Sequence, residues 1–119
     1  MQYLLLIYAN ESAAPDPAST QTAAIIKDYA AFTSSIRESG NLVGANRLQD
    51  ATSATSVRVR DGKTLLTDGP FAETAEQLGG YYLIEAPNLD DAIGIAARVP
   101  GTKWGTVEVR PVYPMAPPA

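Results

Sequence analysis

The segment from Gln2 to Tyr8, QYLLLIY, is apolar at every position after the first, and it limits the possible folds more than any other stretch of the chain. Successive side chains of a strand point to opposite faces, so an unbroken apolar run has both faces covered and belongs inside a sheet rather than at its edge. A short buried helix is the alternative. The length of the run and the polar turn after it favour the strand. Tyr3, Leu5 and Ile7 then take one face and Leu4, Leu6 and Tyr8 the other, and each face needs its own cover.

Asn10 to Ser19 holds Pro15 and Pro17 among small polar residues and reads as a loop. Either Asp16, with Pro17 at the first helical position, or Ser19 or Thr20 caps the helix that follows. Between Thr20 and Ser39, Ile25, Tyr29, Phe32 and Ile36 recur at helical spacing and form one buried stripe, and Gly40 ends the helix in the left-handed conformation. Asn41 to Leu48 and Ser56 to Arg60 read as strands, the second with Val57 and Val59 on one face and Arg58 and Arg60 on the other. Asp61-Gly62 is a two-residue hairpin signal that returns the chain through Lys63 to Thr67. A helical turn is expected around Ala72 to Gln77, with Gly79 and Gly80 releasing the chain into a strand from Tyr81 to Ala86. Asn88 caps a second helix whose buried stripe is Leu89, Ile93 and Ala96, flanked by Ala92 and Val99, and Pro100-Gly101 stops it. Thr106 to Val112 is the last strand.

The order is two strand–helix–strand halves with hairpin material between them. Two helices cover one face of such a sheet, so the apolar second face calls for a second subunit, and a homodimer is expected. Residues 1–113 form one domain, and the proline-rich tail 114–119 frays.

A chain of 119 residues buries one core without a metal or disulfide staple. Cysteine and histidine are both absent. Thiolate nucleophiles, disulfides, Ser-His-Asp chemistry and Cys- or His-ligated metals are thereby excluded, so acid–base work falls to Asp, Glu, Lys or Tyr. A net charge of −4 with nine scattered Lys and Arg argues against a nucleic-acid surface. The longest apolar run is too short to cross a bilayer, so no membrane partner is expected and the cytoplasm is the default location. No dinucleotide fingerprint, phosphate loop or metal-ligand cluster is present, so no cofactor is expected.

The richest candidate site is Asp68-Gly69-Pro70-Phe71-Ala72-Glu73. Asp-Gly and Gly-Pro are turn dipeptides, and the chain bends sharply there. Asp68 either caps the turn through backbone amides or serves as general base or ligand anchor. Glu73 is its carboxylate neighbour in sequence, and Phe71 is an apolar anchor; Glu76 reads as a surface residue. Tyr81 and Tyr82 point to opposite faces of their strand, so only one lines a given cavity. Arg47, Arg58, Arg60 and Arg110 either grip a carboxylate or phosphate or pair with Glu85 and Glu108 across the sheet. Arg47 is included among the substrate-binding candidates. Trp104 stands either at a cleft mouth or in a dimer contact.

The run DGPFAETAEQLGGYYLIEA, with VRVRDGKTLLTDG before it and GTVEVRPV after it, resembles the DGPF subgroup of the YCII-related domain proteins, and the likeness extends from Tyr3 to Val112. The resemblance implies an α+β, ferredoxin-like sandwich of the dimeric α/β-barrel type. Related proteins carry a histidine and an aspartate as an acid–base pair. This chain has no histidine, and its corresponding segment reads Arg37-Glu38-Ser39-Gly40, which leaves Glu38 as the only stand-in for the acid. Two functions are compatible with the residues: a homodimer with a small-molecule cleft near the DGPF turn, using carboxylate acid–base chemistry, or a non-catalytic ligand sensor. The resemblance links the second to an extracytoplasmic-function sigma factor.

Overall fold

The computed structural model describes residues 1–115; the end of the proline-rich tail lies outside them. Four strands, β1 (Gln2–Ala9), β2 (Leu42–Arg47), β5 (Gln77–Glu85) and β6 (Thr106–Pro111), form an antiparallel sheet in the order β2-β5-β1-β6. Helices α1 (Thr20–Glu38) and α2 (Leu89–Ala96) connect β1 to β2 and β5 to β6. Strands β3 (Thr55–Arg60) and β4 (Lys63–Asp68) form a separate two-stranded hairpin between the halves. This is the ferredoxin-like α+β arrangement, and the all-apolar β1 is a central strand between β5 and β6.

One sheet face is closed by the helices. Leu5, Ile36 and Ile84 are fully buried there, and the Phe32 and Tyr82 rings meet edge-on with centroids 5.1 Å apart. Ser19 is the cap of α1, its hydroxyl accepting from the Thr22 amide at 3.1 Å; Asp16 instead takes the Ala18 amide within the preceding turn. Asn88 caps α2 through the Asp91 amide at 2.9 Å. Gly40 has φ +79° at the end of α1, and Asp61 and Gly62 have φ 52° and 73°, the pair of left-handed residues that a tight hairpin turn requires.

Two expectations are corrected. The buried stripe of α2 is Ala92, Ile95 and Ala96, continued by Val99, whereas Leu89 and Ile93 are 46% and 49% exposed. Both sets fit a helical period. The helix is turned so that the small Ala92 and Ala96 face inward and let it approach the sheet, while Ile93 borders an apolar groove with Val107 and Val109. Second, residues 72–76 form no helical turn, and β5 starts at Gln77, with Gly79 and Gly80 inside it. Gly79 is the extra residue of a bulge between the Ile7–Gly80 and Tyr8–Leu78 pairs. At Gly80 a Cβ would stand 2.9 Å from the Asn46 carbonyl oxygen, so β2 approaches β5 too closely for a side chain.

The Cα radius of gyration is 16.6 Å, against about 13.5 Å for a compact chain of this length. The hairpin is the cause: its two strands pack chiefly on each other, and their large apolar side chains are exposed.

Candidate functional site

Arg47 ends β2 opposite Gly80, in the same register row as Ile7, which places it on the helix-covered side at the sheet's edge. The chain then turns through Leu48 to Asp50 and a short 3-10 turn, Ala51–Ser53. Two contacts hold this loop against the sheet. The Leu48 amide donates to the Gly79 carbonyl at 2.9 Å, and the Ala51 amide donates to both Glu11 carboxylate oxygens at 3.0 and 3.2 Å. Glu11 is itself positioned by its own amide, which donates to the Gln77 side-chain oxygen at 2.9 Å. Between the loop and the strand end lies an open cleft of about 550 Å³, lined by Arg47, Leu48, Gln49, Asp50, Thr52 and Ser53.

The Asp68 turn adjoins the loop. Gly69 has φ +91°, and its amide donates to the Ala54 carbonyl at 2.6 Å, while the Ser56 hydroxyl donates to the Gly69 carbonyl at 2.9 Å. The hairpin root is therefore closed by Gly69 rather than by the aspartate. Among the described residues, the Asp68 and Glu73 side chains enter no hydrogen bond or ion pair. Both are exposed, and Phe71, at 80% exposure, anchors nothing within the subunit. Glu76 has a structural contact, accepting from the Thr106 hydroxyl at 2.8 Å.

The two tyrosines divide as their spacing requires. Tyr82 is buried under α1, its hydroxyl 2.7 Å from that of Thr33. Tyr81 is on the open face, where its hydroxyl accepts from the Asn46 side-chain amide at 2.7 Å. Arg47 and the Asp68 turn thus belong to adjoining segments, Tyr82 belongs to the core, and Tyr81 lies across the sheet from it. Glu38 is exposed at the end of α1. Arg110 pairs with Glu108 on its own strand at 2.9 Å, and Glu85 binds the amino terminus. Arg58 and Arg60 lie on the hairpin, and Trp104 is half-exposed.

Glu11 escapes sequence reading as a site residue, because its partner is remote in the chain. Tyr29, with Phe32, reads from sequence either as a ligand box or as part of the core stripe, with the core favoured; its hydroxyl accepts from the Gly101 amide at 3.2 Å. Burial raises the pKa of this phenol above 10.0; the Gly101 hydrogen bond lowers it, the neighbouring Tyr82 raises it and the Arg47 charge lowers it. Among the described residues, no group of three or more Asp or Glu is placed to hold a metal ion. No helix among them is long and apolar enough to cross a membrane.

Comparison with known proteins yields two findings. The model of a family described as the YCII-related domain matches residues 1–116. An uncharacterized protein of Rhizobium meliloti (strain 1021) is 37% identical over 114 residues, which cover 94% of this chain and 92% of the relative.

Proposed function

We propose a ligand-binding function for this chain, which belongs to the YCII-related domain family: a homodimer in which each subunit takes a small molecule into the cleft between β2 and the root of the hairpin. The observation that carries this reading is the Arg47 cleft. It is an open groove beside a guanidinium that enters no ion pair among the described residues, with walls held by Glu11. A planar guanidinium suits a carboxylate-bearing ligand, which it grips with two parallel hydrogen bonds. The dimer is supported by the open sheet face, where Leu4, Leu6 and Leu83 are half-buried and no helix covers them.

Binding without turnover fits the geometry better than catalysis within one subunit. Acid–base catalysis works best where water is excluded, whereas Asp68 and Glu73 stand in solvent and the cleft is open. A binder of this kind suits the sigma-factor association that the DGPF resemblance implies. Asp68 remains the group for any proton transfer, since no hydrogen bond among the described residues occupies its carboxylate.

The test is a thermal-shift screen of small carboxylic acids, amines and aromatic metabolites against the wild type, Arg47→Ala and Asp68→Ala. A ligand that stabilises the wild type and loses its effect in folded Arg47→Ala is the expected result. A stabilising ligand indifferent to both substitutions overturns the site, and a screen with no hit overturns the function.

A further inference from the structure

The two aromatic residues of the α1 stripe have different surroundings. Phe32 is buried with its ring edge-on to Tyr82, whereas Tyr29 is only partly buried. A Cβ on Gly101 would meet both the Tyr29 hydroxyl oxygen, at 2.7 Å, and the Ile7 Cγ2 methyl, at 3.4 Å, so the phenol ends beside Ile7. Its oxygen accepts from the Gly101 amide, but its own proton has no acceptor among the described residues. A phenol both accepts and donates, and here the donor is unused.

Ile7 shares a register row with Gly80 and Arg47 on the helix-covered side of the sheet. Gly80 puts no side chain between them, and the approach of β2 leaves no room for one. Adjacent strands lie about 5 Å apart, so the Arg47 and Ile7 backbones are separated by about 10 Å, a gap that an arginine side chain and one small anion span. Burial raises the pKa of the phenol, and the Arg47 charge acts in the opposite sense. The charge is thus felt at the hydroxyl, while burial keeps the proton in place at neutral pH, so the phenol offers a donor and no negative charge. Asp50, in the wall of the cleft, repels a dianion more than a monoanion.

We infer that Tyr29 is the second ligand contact of the Arg47 site and that the ligand is a small monocarboxylic acid. One carboxylate oxygen accepts from the Arg47 guanidinium and the other from the Tyr29 O–H, above Gly80, and the rest of the molecule projects into the cleft toward Leu48 and Thr52. A carboxylate has lone pairs for both donors. This inference rests on the Arg47 reading proposed above and adds to it a residue and a charge class.

The test is a titration of the isotope-labelled protein with acetate, benzoate and inorganic phosphate, followed by nuclear magnetic resonance. Gly101 is the probe, because its amide donates to the phenol oxygen and it does not line the open cleft. Acetate and benzoate are expected to move the Arg47 Nε–H and Gly101 amide signals along one saturation curve, with phosphate binding more weakly than either. Tyr29→Phe removes the O–H and is expected to weaken benzoate about tenfold or more, as loss of a hydrogen bond to a charged group does; Arg47→Ala is expected to abolish binding. A phenol with a purely structural role gives no ligand-dependent shift at Gly101. Carboxylates that move the amides of residues 48–53 while Gly101 stays still overturn the role of Tyr29 but leave the cleft standing. Unchanged benzoate affinity in folded Tyr29→Phe does the same. If that variant fails to fold, the Gly101 signal of the wild type decides. Phosphate bound as tightly as benzoate overturns the charge class, and no shift with either carboxylate overturns both the inference and the Arg47 site.

Discussion

The Gly101 amide donates to the Tyr29 hydroxyl over 3.2 Å, joining the middle of α1 to the turn that follows α2, and a Cβ at residue 101 would stand 2.7 Å from that oxygen. The phenol is partly buried, and burial raises its pKa above the ordinary 10.0. A raised pKa means that the folded state holds this proton more tightly than the unfolded state does. The contribution to stability is therefore complete below about pH 10 and is lost as pH rises through the folded-state value. Tyr29→Phe is expected to cost about 1 kcal/mol at neutral pH, because the Gly101 amide loses its acceptor. The wild type should lose part of this advantage above about pH 10. Urea midpoints of both proteins at neutral and strongly alkaline pH check this; a gap that stays constant with pH refutes it.

Two glycines should respond oppositely to alanine. At Gly105 a Cβ would lie 2.1 Å from the Tyr8 carbonyl oxygen, a backbone atom of the central strand β1. Relief requires β1 and the start of β6 to separate, so Gly105→Ala is expected to destabilise by about 3 kcal/mol or more. Gly94, inside α2, has nothing within 4 Å of its Cβ position. Gly94→Ala is expected to stabilise by about 0.5–1 kcal/mol through helix propensity and a less flexible unfolded chain. Chemical denaturation of the two variants measures both signs.

At the hairpin root, the backbone and the carboxylate separate cleanly. Gly69 holds φ +91° and its amide is bonded to Ala54, whereas the Asp68 side chain has no bond among the described residues. Gly69→Ala should cost about 1–3 kcal/mol through backbone strain, and Asp68→Asn should change stability by less than about 0.5 kcal/mol. A loss with Asp68→Asn as large as that of a helix cap would show that the carboxylate holds the turn. Thermal and urea unfolding of both variants distinguishes the cases.

Local features were legible where one residue or one period settles the geometry. Asp61-Gly62 specifies a hairpin because two adjacent left-handed residues fit little else, and the structure has both. Gly40 and Asn88 mark helix boundaries by the same kind of short-range chemistry. Reading failed where two solutions share a period. Leu89 with Ile93 and Ala92 with Ile95 both make helical stripes, and only the distance at which α2 packs on the sheet selects the second pair. The glycines at 79 and 80 read as a release into a strand, yet one forms a bulge and the other accommodates the approach of β2. The cleft was legible only in part. Arg47 and Asp68 stand out by residue type, but the contact of Glu11 with Ala51 has no local signal.

The sequence by itself determined the central strand, both helices, the Asn88 cap of the second, the hairpin turn, and the exclusion of thiol and histidine chemistry, since each follows from side chains close along the chain or missing from it. Only the tertiary structure decided which face of α2 is buried, that Gly69 rather than Asp68 closes the hairpin root, and that the loop after Arg47 folds into a cleft. The reason is range. Caps, turns and periodicity are set by atoms a few bonds apart, while burial and clefts are set by which distant segments compete for the same space.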